Sequence, residues 1–253
     1  MTGATAGLSA HALDRIAAQP GTRVIIGARG AGRKVPAGVE ILPLDLASLD
    51  QVRGFADAVL QRIGDARIDV LVLNAGMQSP AIRAVTPITP KALDPLALAH
   101  PAKGGLGSGM RAYAASKLCN LLTAQAVAAS ADVQDRGVSV VAFNPGLTGG
   151  TSLGRDSSPV ARIVVRALMG AIFRVVGLFK PEYVMSTAER SGEQLAQVAL
   201  GVVTPPPGRI YVSLVKGEPT FPDPSELARS RDAQQQLWRD SADMVGLGAG
   251  NRL

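Results

Sequence analysis

Thr2-Gly3-Ala4-Thr5-Ala6-Gly7-Leu8-Ser9 opens the chain and leads straight into an amphipathic stretch from Leu8 to Gln19. Glycine tolerates backbone angles that other residues avoid, so Gly3 and Gly7 allow a tight turn at the start of a helix. Such a turn lets the backbone come close to a pyrophosphate, whose charge is met by the free N–H groups of the helix N-terminus. Thr2, Gly3, Thr5, Gly7 and Leu8 are therefore read as a phosphate-binding turn. Glycine-rich helix starts are common, so the turn gains its meaning from the rest of the chain.

Working outward, short β-branched runs alternate with longer amphipathic ones. Arg23 to Ala28 (RVIIGA) reads as a buried strand and Glu40 to Leu44 as a second, with Ser48 an N-cap for a helix to about Ile63. Asp69 to Leu73 (DVLVL) reads as a third strand, ending in Asn74-Ala75-Gly76. Residues 77–112 carry Pro80, Pro87, Pro90, Pro95 and Pro101 and a glycine-rich end, a density that breaks helices and excludes central strands. The reading there is a loop, with one short element at Ala81 to Val85.

Beyond the loop, Tyr113 to Ala129 reads as a helix and Val138 to Phe143 as a strand. Helices are expected over Pro159 to Phe179 and Ser186 to Leu200, the latter opened by a Ser186–Glu189 capping box. A last strand is expected over Arg209 to Leu214, and Ser225 is expected to cap a final helix through Trp238. Strands alternating with helices predict an α/β fold of the Rossmann type, a doubly wound parallel sheet with helices on both faces.

The bulk numbers fit one folded domain over 1–253: 47% hydrophobic and 18% charged residues, with no repeat and no low-complexity linker. The net charge is +6, yet the basic residues form no blocks and aromatics are only 4%, so a nucleic-acid platform is not expected. Cys119 is the single cysteine, which excludes an internal disulfide, and no secretory leader is read at Met1. The expected location is cytoplasmic. His11 and His100 have no ligand partner at metal-binding spacing, so no metal site is expected.

Five motifs now stand in order: the glycine turn, Asp45 after a strand, Asn74-Ala75-Gly76 after the next, Tyr113-Ala-Ala-Ser-Lys117 on a helix, and Asn144-Pro145-Gly146 after VSVVAF. In this order the sequence resembles the short-chain dehydrogenase/reductases. The run Ser116-Lys117-Leu118-Cys119-Asn120 is most similar to the branch containing retinol dehydrogenases and protochlorophyllide reductases. The resemblance implies that Asp45 and Leu46 line an adenine pocket, that Asn74, Ala75 and Gly76 border a ribose, and that Thr148 and Thr151, beyond Pro145 and Gly146, face a nicotinamide amide. It also implies that Lys117 holds the nicotinamide ribose and that a segment of about 152–185 covers the substrate.

Charge selects the cofactor. Enzymes that prefer NAD place an acidic residue after the second strand. Here that strand ends Gly27-Ala28-Arg29, with Arg33 and Lys34 downstream and no carboxylate between Arg23 and Val39. A guanidinium pairs with a 2′-phosphate, which predicts NADP(H) over NAD(H). Tyr113 and Lys117 share one helix face, and an ammonium beside a phenol lowers its pKa from ~10, so Tyr113 is the expected proton donor or acceptor.

The pattern also has departures. Ser9 stands where the family has a third glycine. The chain starts at the glycine turn, so the strand expected before it is missing from the sequence and is read as lying upstream. Between Gly76 and Tyr113 the family's helix and strand, which together need roughly 17 residues, and its catalytic Asn and Ser have no counterpart; Ser79 and Ser108 are the available serines.

Two functions are thus expected: an NADP(H)-dependent oxidoreductase interconverting a carbonyl and an alcohol on a hydrophobic small molecule, or a catalytically impaired nucleotide-binding protein with a sensing or interaction role. Over Pro159 to Phe179, Arg162, Arg166 and Arg174 form a polar stripe, which argues against a transmembrane helix and leaves a substrate lid, a buried helix or a membrane-surface helix. The sequence does not indicate an oligomeric state.

Overall fold

A computed structural model of the protein describes residues 1–30, 32–75, 108–149 and 184–247, with the backbone alone over 108–113. The elements, in chain order, are α1 (Leu8–Ala17), β1 (Ile25–Ala28), β2 (Glu40–Pro43), α2 (Leu49–Ile63), α3 (Ser108–Ala128), α4 (Ala131–Asp135), β3 (Ala142–Asn144) and β4 (Thr148–Gly149). They continue with β5 (Ser186–Thr187), α5 (Ala188–Ala199), β6 (Tyr211–Val215), β7 (Glu218–Thr220), α6 (Glu226–Arg229) and α7 (Arg231–Met244).

The first half is a parallel assembly. β1 pairs with β2 in the register Ile25↔Glu40 to Ala28↔Pro43. On the other side of β1, Thr2 bridges Gly27 and Leu73, both in parallel, so the order across the sheet is β2, β1, Thr2, Leu73. Successive strand residues point to opposite faces. Val24 and Ile26 enter the core formed with Ala12, Leu13 and Ile16 of α1 and Leu195 and Ala196 of α5. Gly27, the next residue after Ile26, points to the opposite face, where a Cβ would meet Leu44 and Phe55, the latter on α2. Helices α1 and α2 therefore cover opposite faces of this sheet, as a doubly wound architecture requires.

The second half pairs β3 with β6 in parallel and closes β6 onto β7 as an antiparallel hairpin. The hairpin was not expected. Its turn is Lys216-Gly217, both with positive φ, and the lysine hides the glycine pair that usually announces such a turn. A second core gathers Leu118 and Leu122 of α3 with Ala228 of α6 and Leu237 of α7. Strands β4 and β5 pair in parallel, Thr148↔Ser186, so the chain between them leaves and returns at one place.

Several expectations need correction. The strand expected over 69–73 is only the bridge at Leu73, because its neighbour Thr2 offers a ladder one rung long; Val70, Leu71 and Leu73 are exposed. The strand expected over 138–143 is shorter and shifted to Ala142–Asn144. Helix α3 begins at Ser108, inside the stretch read as loop, and Ser108 stands on the same helix as Tyr113. The cap of α5 is Thr187, which accepts from the Arg190 N–H, rather than Ser186, which is held in β5. Ser225 caps only the short α6; Ser230 then caps α7 separately. The element expected over 81–85, the helix expected over 159–179 and most of the 152–185 segment lie outside the described residues.

Candidate functional site at the carboxyl ends of the parallel strands

Strand pairing brings the turns together. Because β1, β2, Thr2 and Leu73 run parallel, the residues just beyond each of them emerge at one edge: Arg29, Asp45, Gly3 and Asn74. Open parallel sheets bind ligands at this edge.

The glycine turn is fastened to the Asn74-Ala75 turn. Thr2 is buried, donates its N–H to the Val72 carbonyl at 3.0 Å, and its hydroxyl accepts from the N–H groups of Asn74 and Ala75, each at 3.2 Å. Gly3 has φ +66°, and a Cβ there would lie 2.6 Å from the Ala75 Cα. Only glycine meets both conditions. The departure at Ser9 also gains a physical account: Ser9 is fully buried, and its hydroxyl accepts from the Asn74 side-chain amide. The family pattern makes Ser9 a lost glycine and conceals this bond; the available signal is a hydroxyl replacing a residue with no side chain, opposite a buried amide.

The start of α1 is electrostatically open. Gly7 is its N-cap, no side chain caps the helix, and no acidic residue lies in the first turn. The positive end of the helix dipole and its free N–H groups are left for an anion. Thr5 and Leu8 sit on this turn and on the first helical residue.

At the β1 end, the Arg29 carbonyl accepts from Arg33 Nε at 3.2 Å, while the exposed Arg29 guanidinium has no ion-pair partner among the described residues. Asp45 is half-occupied by its own turn: its carboxylate accepts from the Ala47 N–H at 3.1 Å and its N–H donates to Gln51 Oε1 at 3.0 Å. Leu46 is 52% exposed, an apolar side chain at the same edge.

The Asn144-Pro145-Gly146 turn is rigid. Asn144 donates to Tyr211 Oη at 3.0 Å and to Ser213 Oγ at 3.1 Å, and accepts from the Gly146 N–H at 3.1 Å. Thr148 donates to the Pro145 carbonyl at 2.9 Å and lies 2.9 Å from Ser191 Oγ. Its one hydroxyl proton is thus directed to the Pro145 carbonyl, which leaves its oxygen as an acceptor. Ser191 lies beside Gly192, where an added Cβ would overlap the Leu8 carbonyl. Helix α5 therefore connects the Pro145-Gly146 turn to the first residue of α1.

On α3, Ala115, Leu118, Leu122 and Ala126 form the buried face, and Lys117 lies on the exposed one. Cys119 is half-buried, and that burial pushes its thiol pKa up, so it is a poor nucleophile. Tyr113 takes its place on the α3 backbone four residues before Lys117. The Tyr113 side chain, Gly76, Ser79 and Thr151 lie outside the described residues, as does the side chain of Ser108. Among the described residues no cluster of His, Cys, Asp or Glu could hold a metal, and no helix is long and apolar enough to cross a membrane.

No family model matches the chain. It is 26% identical to protochlorophyllide reductase A of Hordeum vulgare over 322 aligned positions, covering 98% of this chain and 80% of that protein. It is 27% identical to dehydrogenase/reductase SDR family member 13 of Bos taurus, covering 99% of this chain and 73% of that protein. Among solved structures, the chain is similar to YwfH, an NADPH-dependent reductase involved in bacilysin biosynthesis, with a TM-score of 0.52, 14% identity, and coverage of 85% and 95% of the two chains. The chain is thus similar in sequence to short-chain dehydrogenase/reductases over nearly its whole length, and it shares their fold. Within that class the likeness runs to the branch that contains the protochlorophyllide reductases.

Proposed function

We propose that the protein is an NADP(H)-dependent oxidoreductase that interconverts a carbonyl and an alcohol on a hydrophobic small molecule. The observation that carries this reading is the convergence, at one sheet edge, of an uncapped helix N-terminus behind Gly3 and Gly7 with the Arg29 guanidinium, which has no ion-pair partner among the described residues. The residues fit a dinucleotide phosphate at the α1 N-terminus and a 2′-phosphate at Arg29, the two anionic groups that distinguish NADP(H). In this reading Asp45 and Leu46 would line the adenine and Asn74 and Ala75 would border the ribose, which the strand pairing that brings their turns to one edge supports.

When bound there, the nicotinamide supplies or accepts hydride. The protein's part is acid–base chemistry and orientation. Tyr113 gives a proton to the substrate oxygen on reduction and takes it back on oxidation. Lys117, one turn further along α3, stabilises the phenolate that remains. Pro145 and Gly146, whose turn is fixed by the Gly146 N–H bond to Asn144, would flank the nicotinamide ring. Thr151 is the threonine we assign to the nicotinamide amide, since the Thr148 hydroxyl donates to Pro145.

A second reading, nucleotide binding with impaired turnover, draws on the barley alignment: it spans 322 positions against 253 residues here, so that relative carries residues this chain lacks. Steady-state NADPH consumption with a panel of apolar aldehydes and ketones separates the two. We expect turnover that Tyr113→Phe lowers by at least ~100-fold, the usual scale for a lost general acid. Consumption equal in the parent and Tyr113→Phe would reject Tyr113 as the acid and favour the second reading.

A further inference from the structure

A cavity of about 240 Å³ lies between the C-terminal part of α3, the entry to β6 and the α6–α7 corner. It lies at the other end of β3 and β6 from the Asn144-Pro145-Gly146 turn, although Tyr211, which lines it, also accepts from Asn144 through its hydroxyl at 3.0 Å. Three guanidinium side chains line it, Arg209, Arg229 and Arg231, against one carboxylate, Asp223. Arg209 is already engaged: it lies 3.3 Å from Asp223 and also donates to the Phe221 carbonyl. Arg229 and Arg231 have no carboxylate partner among the described residues. The floor is fixed, because Gln234 is nine-tenths buried and donates from Nε2 to the Ala228 carbonyl at 3.1 Å. Asp232, in the first turn of α7, does not line the cavity.

Concave walls of one charge concentrate counter-ions, and the arginine fork matches phosphate oxygens two at a time. Arg231 is the first residue of α7, whose N-terminus is capped by the Ser230 hydroxyl and faced by Asp232 in its first turn, so the site rests on the arginine side chains themselves. We propose that this cavity is a second, non-catalytic anion site that binds a small phosphorylated molecule between Arg229 and Arg231. Gln125, on the cavity wall, belongs to the helix that carries Lys117, and the two are separated by roughly 12 Å along its axis at 1.5 Å per residue.

A reporter lies on the same helix as Arg231, outside the cavity lining. Trp238 is the single tryptophan of the chain and sits on α7 itself. Its fluorescence should be followed while the full chain is titrated with orthophosphate and, separately, with ribose 5-phosphate, against sodium chloride at matched ionic strength. The expected result is a saturable change with either phosphate, weakened at least tenfold in Arg229→Gln/Arg231→Gln, whose two side chains are exposed and leave both cores intact. Tighter binding of ribose 5-phosphate would identify an organic ester as the ligand, and equal binding free phosphate. A change that chloride reproduces, that the double variant retains, or that saturating NADPH abolishes would overturn the proposal. The readout needs no cofactor, so its failure is distinct from failure of the oxidoreductase reading.

Discussion

Ser9 sits where three constraints meet: the first turn of α1, the buried side of the phosphate turn and the amide of Asn74. Removing its hydroxyl leaves the amide donor without that acceptor, at a cost of about 1–2 kcal/mol. Ser9→Ala should therefore lower the thermal midpoint, and Ser9→Gly should lower it further, since glycine inside a helix costs about 1 kcal/mol more than alanine. Equal midpoints for parent and Ser9→Ala would show that the bond contributes nothing.

Arg29 tests the cofactor reading at the same scale. Arg29→Glu exchanges a partner of the 2′-phosphate for a repelling charge, and should weaken NADPH binding by more than ~10-fold while leaving NADH binding within a few fold. Parallel losses for both cofactors would instead make Arg29 a structural residue.

Cys119 provides a pH test. Its folded pKa is raised above the ordinary value of 9.0, so on raising the pH the unfolded chain ionises first. The folded state then holds more protons, and linkage requires that this residue's contribution falls as pH rises through that value. Thiol labelling at mildly alkaline pH should be slower in the folded protein than in denaturant, and Cys119→Ala should flatten the alkaline part of the stability profile.

Among the elements, α5 is the most informative. Its packing on α1 leaves no room for a Cβ at Gly192, where the Leu8 carbonyl stands in the way. Overpacking of this kind costs about 1–3 kcal/mol, against a helix-propensity gain of about 1 kcal/mol, so Gly192→Ala should be net destabilising. Its cap separates neighbours: Thr187→Ala should cost about 1 kcal/mol, because the Arg190 N–H loses its acceptor. Ser186→Ala should cost less than Thr187→Ala, because the Ser191 hydroxyl it accepts from at 3.4 Å keeps Thr148 as a second partner. Urea unfolding of the three variants orders them.

Those elements also show what sequence can and cannot carry. Ser48 was readable as a cap because nothing competes with it; its hydroxyl accepts from the Gln51 N–H as expected. Ser186-Thr187 offered two adjacent hydroxyls, and the choice fell to β5, whose pairing with β4 holds Ser186 extended and hands the cap to Thr187. Strand β6 was readable from its alternation, whereas the β7 return depends on Lys216 at positive φ, which no local pattern announces.

Over the whole molecule, the glycine turn, Asp45 and Asn74-Ala75 were legible because each follows a parallel strand or bridge, and the pairing of β1, β2, Thr2 and Leu73 places these three on one edge. The 69–73 stretch was legible as apolar but not as to its fate. A strand needs neighbours as well as a sequence, and with one rung to Thr2 it leaves Leu71 at 64% and Leu73 at 76% exposure. The cavity at Arg229 and Arg231 had no sequence signal, because it depends on where three distant segments meet.

The central claim is that this edge binds NADP(H), and the most direct measurement is a fluorescence titration of the purified protein with NADPH, with NADH alongside. Saturable binding that favours NADPH by at least about tenfold, the scale of one charge-assisted contact, is the predicted result. Absence of binding by either cofactor, or a preference for NADH, would contradict the assignment of the Gly3–Gly7 turn and of Arg29.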